Sequence, residues 1–176
     1  LIMDTVAQVG SVMEHILMIL DDNELLKKYI TVTRSRGGDD PTIELQNSNG
    51  DKFIIKGRGA GQKLRGVKAK GKRPNIILID DLENDENVES KDSREKLKNW
   101  FFNALLPSVD PNRFEIIMIG TPLHEDSVLN NVTESSEWLA IKLPAADEYP
   151  PQPGKKLESA WSDRFTPDFL NRTMKM

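Results

Sequence analysis

From Ala7 to Leu20 the apolar positions Val9, Val12, Met13, Ile16, Leu17 and Leu20 recur at helical spacing. Asp21, Asp22 and Asn23 interrupt that pattern, and Glu24 to Ile30 reads as a second short helix. Leu1 to Met3 reads as the end of a strand, and Ser35 to Pro41 as a loop. Thr42 to Gln46 and Lys52 to Lys56 alternate on either side of Asn47-Ser48-Asn49-Gly50, which predicts a hairpin. Asn75 to Asp80 carries the unbroken run Ile76-Ile77-Leu78-Ile79, the pattern of a strand covered on both faces, as in parallel sheets. Next, Leu97, Trp100, Phe101, Ala104 and Leu105 fall on one side of a helix, with Asp92 and Glu95 placed to cap its start and Pro107 to end it. Phe114 to Ile119 predicts another short strand, stopping at Gly120-Thr121-Pro122. Asp126 or Ser127 opens a helix through Val132, Trp138 to Leu143 predicts a further strand, and Ala145 to Pro153 an extended, acidic, proline-rich stretch. Strands alternating with helices predict an α/β domain with a mainly parallel sheet and flanking helices.

Composition narrows the class. A chain of 176 residues with 38% apolar and 30% charged residues can bury the core of one globular domain. Its net charge of −4 gives no global attraction to nucleic acid or anionic lipid. Charge is uneven, however: Lys56 to Arg73 contains no acid, whereas acids dominate Asp80 to Glu95. Such blocks are commonly solvated faces. The absence of cysteine excludes disulfides and thiolate metal sites, and two histidines, His15 and His124, are too few for a histidine metal cluster. The longest apolar stretch, Val12 to Leu20, is interrupted by Glu14 and His15 and is too short to span a bilayer. With no secretory signal pattern at its start, the chain reads as cytoplasmic.

Chemistry concentrates at two strand ends. In parallel sheets, ligands sit beyond the carboxyl ends of the strands, which is where Asp80-Asp81 and Gly120-Thr121-Pro122 fall. An apolar run ending in adjacent acids suits a Walker B element, in which a buried strand holds one carboxylate at fixed height for Mg²⁺ and a second orients or deprotonates water. Asp80 suits the metal; Asp81 is next in line as base, with Glu83 as the longer-reaching alternative. The competing reading is an acidic loop facing water or capping the next helix. Gly66 to Lys72 has the glycine and lysine spacing of a phosphate loop, but Arg73 stands where a hydroxyl is needed, and Pro74 and a strand come next where a helix should begin. It is rejected as a phosphate cradle.

Gly57-Arg-Gly-Ala-Gly61-Gln-Lys-Leu-Arg65-Gly66, Arg73-Pro74, Ile77-Leu-Ile-Asp80-Asp81-Leu-Glu83-Asn84, Trp100-Phe101 and Gly120-Thr-Pro-Leu-His124 occur in one order. Together they resemble the ATPase domain of large terminase subunits, the DNA-packaging motors of tailed bacteriophages, over most of the chain. The resemblance implies a RecA-like (ASCE) P-loop NTPase-type core over residues 1–144 that lacks its Walker A segment, with residues 145–176 leading toward a nuclease domain. It implies ATP and Mg²⁺ as cofactors, Asp80 as the metal ligand, and Asp81 or Glu83 as the catalytic acid. Gly120 and Thr121 fall at the element coupling hydrolysis to movement, with Thr121 contacting the γ-phosphate unless Gly-Thr-Pro is only a turn. Arg65 would reach a neighbouring subunit's triphosphate, or else pair with the acids of residues 85–89; Gly59, Gly61 and Gly66 would let its loop bend around that partner. The implied partners are double-stranded viral DNA, a portal protein, a small terminase subunit and further copies in a ring, with no membrane, in the cytoplasm of a bacterial host. On this reading the phosphate loop precedes Leu1, and the chain by itself hydrolyses little ATP. A helicase-type ATPase core and a non-catalytic α/β prophage remnant are the alternatives.

Overall fold

The computed structural model describes residues 1–64, 71–146, 148, 151–153 and 155–173. The chain divides into two compact units, Leu1–Ser135 and Ser136–Met176. It is an α/β protein with a four-stranded parallel sheet and a small antiparallel sheet.

In the first unit, β1 (Ile2–Met3), β5 (Arg58–Gly59), β6 (Ile76–Asp80) and β7 (Glu115–Ile119) form the parallel sheet in the order β5-β1-β6-β7. Between β1 and β5 lie α1 (Val6–Asp22), α2 (Glu24–Lys27) and the strands β2 (Ile30–Arg36), β3 (Thr42–Asn47) and β4 (Lys52–Lys56), which form an antiparallel meander. Thr5 starts α1 with a reciprocal capping box to Gln8, satisfying two backbone donors at once. The apolar stripe of α1 then buries Val9 and Met13 against Met3, Ile43 and Leu45. Close approach here depends on glycine: a Cβ on Gly57 would lie 2.2 Å from Val9 Cγ1 and 2.8 Å from Pro41 Cγ. Gly59 is equally constrained, since a Cβ there would lie 2.8 Å from the backbone N of Val6. Its smallness serves the start of α1, inside the fold.

Four expectations change. The second helix ends at Lys27 and Ile30 opens β2, which runs to Arg36 through residues expected to be loop. The β-branched run Ile30-Thr31-Val32-Thr33 favours the extended backbone, and pairing with β3 secures it. The strand at Ile76–Ile79 is covered on one face only: Ile77 and Ile79 are 4% and 1% exposed, Ile76 and Leu78 54% and 45%. Ser90, not Asp92 with Glu95, caps α4 (Lys91–Trp100), by accepting from Ser93 N at 3.1 Å. That helix continues through a π-helical turn, Phe101–Leu105, which turns Phe101 and Leu105 into the core, and ends in a 3₁₀ turn containing Pro107. Finally, Trp138 to Leu143 forms no strand; Leu139 and Leu143 are almost wholly exposed and Ile141 largely so.

After β6, the short helix α3 (Asp85–Glu89) is capped by Asn84, and after β7, α5 (Val128–Thr133) is capped by Ser127. In the second unit, Ala146, Leu157 and Leu170 form a small core with Phe165, and Ala146 bridges Ser159. Its helix α6 (Pro167–Thr173) supplies Leu170. Among the described residues no helix is long and apolar enough to cross a membrane.

Candidate functional site

All four strands of the parallel sheet end at one edge, and the backbone ladder runs one residue past them. Asp80 is in register with Ile119, Asp81 N donates to Ile119 O at 3.1 Å, and Asp4 N donates to Asp81 O at 3.1 Å. Asp80 and Asp81 therefore stand beside Gly120 and Thr121 on the rim. Gly120 neighbours Asp81: a Cβ there would lie in ordinary contact, 3.7 Å from Asp81 Oδ1. Asp80 is half-buried, whereas Asp81, Gly120 and Thr121 are exposed. Asp81 adopts φ 41°, a left-handed conformation that side chains other than those of Gly, Asn and Asp strongly resist. Among the described residues no hydrogen bond or ion pair reaches the carboxylate of Asp80 or of Asp81, nor the hydroxyl of Thr121.

Glu83 is placed differently. Val128 N donates to its Oε1 at 2.7 Å and Leu129 N to its Oε2 at 3.1 Å, so both oxygens satisfy amides at the start of α5. These are charge-assisted bonds to donors that the helix itself cannot use. On the other side of the same loop, Asn84 Nδ2 donates to Asp4 Oδ2 at 2.7 Å and Asn87 Nδ2 to Asp4 Oδ1 at 3.2 Å. Asn84 and Asn87 also cap each other reciprocally. The loop carrying the acids is thus pinned to β1 through Asp4 and to α5 through Glu83.

The loop after β7 has its own anchor. Lys98 Nζ lies 2.6 Å from Asp126 Oδ1, and Arg94 Nε lies 3.4 Å from Asp126 Oδ2. Arg94 also donates to Val88 O at 2.6 Å and Glu89 O at 3.2 Å, tying the end of α3 to this loop. The Lys98 hydrogen bond, opposed by partial burial and aided by Arg94, holds the Asp126 carboxyl below the ordinary aspartate range. His124 shapes the turn ahead of α5: its Nδ1 accepts from Asp126 N at 2.9 Å.

Comparison of the chain with protein-family models, with curated proteins and with solved structures gives no match.

Of the residues singled out in the sequence, the fold brings Asp80, Asp81, Gly120 and Thr121 together and gives Glu83 to α5. Arg65 lies outside the described residues, as do Gly66, Lys68 and Lys70. The rejected phosphate-loop segment leads into β6 and not into a helix, so Gly71 and Lys72 open no amide cradle. Sequence reasoning missed Asp4, Asn87, Arg94 and Asp126. Only the Asn84-x-x-Asn87 spacing, that of a capping box, carried a local signal for any of them.

Among the described residues no group of three or more His, Cys, Asp or Glu side chains is gathered to hold a metal. Two adjacent carboxylates on a rim fit Mg²⁺ better than a metal needing a full protein cage. Magnesium keeps several waters and commonly takes one or two carboxylates, with phosphate oxygens supplying the rest.

Proposed function

We propose that the chain is the ATPase portion of a DNA-packaging motor of the large-terminase type, built on a RecA-like core. The observation that carries this reading is the pair of carboxylates, Asp80 and Asp81, at the carboxyl edge of a parallel sheet. Among the described residues they have no partner, and they stand next to Gly120 and Thr121, just past the end of the neighbouring strand β7. Bound there, Mg²⁺ would neutralise charge on the β- and γ-phosphates of ATP. Asp80, fixed by the end of β6, is its proposed ligand. Asp81, exposed and beside Gly120, is the proposed acceptor of the attacking water's proton. Glu83, with both oxygens held by α5, is proposed to position the acidic loop. Gly120 lies against Asp81, and the exposed Thr121 is proposed to meet a phosphate oxygen through its hydroxyl. Arg65 is proposed to approach the triphosphate of a neighbouring copy, where a guanidinium stabilises developing phosphoryl charge.

The test uses Mn²⁺ as a paramagnetic substitute for Mg²⁺, added with ATP. Broadening of the Asp80, Asp81, Gly120 and Thr121 amide signals is expected, and Asp80→Ala should remove it. Broadening confined to other acids, such as residues 85–89, or unchanged in Asp80→Ala, would overturn the assignment.

A further inference from the structure

The antiparallel meander uses only one face for the core. Ile43 and Leu45 of β3 are buried against α1, so the alternate residues face outward. Register places those outward residues in three rows across β2, β3 and β4: Arg36, Thr42 and Lys56; Arg34, Glu44 and Ile54; Thr31, Gln46 and Lys52. Nine positions thus hold four cations, one acid, three uncharged hydrogen-bonding side chains and one apolar residue. The whole chain, by contrast, carries a net charge of −4.

Arg36 is neutralised by Asp40, which also pairs with Arg58. Arg34 and Lys52 are exposed, and among the described residues neither has an ion-pair partner. The Lys56 amine is pushed below the ordinary lysine value, first by burial and then by the nearby charges of Arg58 and Arg36. Outward strand positions thus hold four cations against Glu44, while Asp39, Asp40 and Asp51 lie in the adjoining turns, so the excess is local to the strands.

We infer that the outward face of β2–β4 binds the phosphate backbone of double-stranded DNA, through Arg34, Lys52 and Lys56. Size supports this. The four residue steps from Lys52 to Lys56 cover about 14 Å and three strands about 10 Å, a patch facing about four phosphates of one strand. Composition excludes the other polyanionic occupants. Single-stranded nucleic acid is held by stacking on aromatic rings, and this face has none, because Phe53 lies opposite Leu45 on the other side. A membrane surface requires an apolar stripe that enters the lipid, and here Ile54 stands alone. The duplex is the partner of the motor reading above, and the choice of DNA over another duplex rests on that reading. The surface is a different one and needs no nucleotide.

The test measures binding of the 176-residue chain to a fluorescent 24-base-pair DNA across a salt series. The wild type should bind weakly, with a Kd near 10⁻⁴ M at about 50 mM salt, and with a log–log salt slope of about −3. Replacing Arg34→Gln and Lys52→Gln together should weaken binding about tenfold and flatten the slope by about 2. The charge-preserving pair Arg34→Lys with Lys52→Arg should bind like wild type. Removing the same charge from α4, with Lys91→Gln and Lys96→Gln, should leave the slope within about 1 of wild type. No duplex binding by the wild type, or equal binding by the Arg34→Gln/Lys52→Gln variant, overturns the inference. So does tighter binding to single strands or to phosphatidylserine vesicles than to the duplex. Asp80→Ala should bind DNA normally, so loss of the metal site and loss of this face give separate results.

Discussion

At the scale of single residues, two positions carry constraints their neighbours do not. Asp81 holds a left-handed backbone at φ 41° beside Gly120. Asparagine tolerates that conformation and alanine does not. Asp81→Ala is therefore expected to cost about 1 kcal/mol of stability and Asp81→Asn under about 0.5 kcal/mol, both removing the proposed proton acceptor; urea unfolding separates the two effects. Gly57 is constrained by space: any Cβ meets Val9, Pro41 and Met13 at under 3 Å. Overpacking at such a point typically costs about 1–3 kcal/mol, and Gly57→Ala should lower the urea midpoint accordingly without changing its slope. The adjacent acids were legible as a candidate site from their place at the end of an apolar run. The strained backbone of Asp81 was not, because it depends on where Asp4 and Ile119 hold the peptide on either side.

At the scale of elements, the loops after β6 and β7 behave as one clamp around the rim. Glu83 links the first to α5, and Asp126 links the second to α4 through Lys98 and Arg94. Glu83→Ala leaves two helix-start amides without their acceptor and should cost about 1–2 kcal/mol in urea unfolding. Glu83→Gln keeps one acceptor oxygen and should cost less; a Glu83 that served only as a free base would change stability in neither variant. Asp126 adds a pH dependence. Its carboxyl is held below its unfolded value by Lys98, so its contribution is present above the ordinary aspartate pKa and is lost as pH falls through the depressed one. Stability of the wild type should therefore fall more steeply below about pH 4 than that of Asp126→Asn, compared by thermal unfolding across acidic buffers. Helix periodicity and strand alternation announced α1, the β3–β4 hairpin and α5. They were silent on β2, whose outward residues are polar and whose strand state depends on the neighbouring β3.

At the scale of the whole molecule, the two compact units invite separation. Leu139 and Leu143 are 94% and 90% exposed in a stretch outside any helix or strand, which makes residues 136–144 an accessible site for protease. Limited digestion with a protease that cuts after leucine should cleave there first, and the resulting fragment, the first unit with a short tail to Leu139 or Leu143, should unfold cooperatively by itself, because its core cluster lies within it. Early cleavage inside α1 or the parallel sheet would contradict that division. In the proposed ring, Arg65→Ala subunits mixed with wild type should depress ATP turnover more than in proportion to their fraction, since each Arg65 would serve a neighbour's site.

What the sequence alone determined is local. Repeats of about 3.6 residues or of two, a hydroxyl or amide ahead of a helix, and acids at the tip of an apolar run each depend on residues a few positions apart. Tertiary structure decided what depends on distant partners. It gave Glu83 to α5 and Asp4 to Asn84 and Asn87, left one face of Ile76–Ile79 bare, and kept Trp138 to Leu143 from forming a strand. The physical reason is that a strand or a carboxylate is completed by groups across space. Periodicity records which face of an element is apolar, and only the folded chain supplies what lies against it.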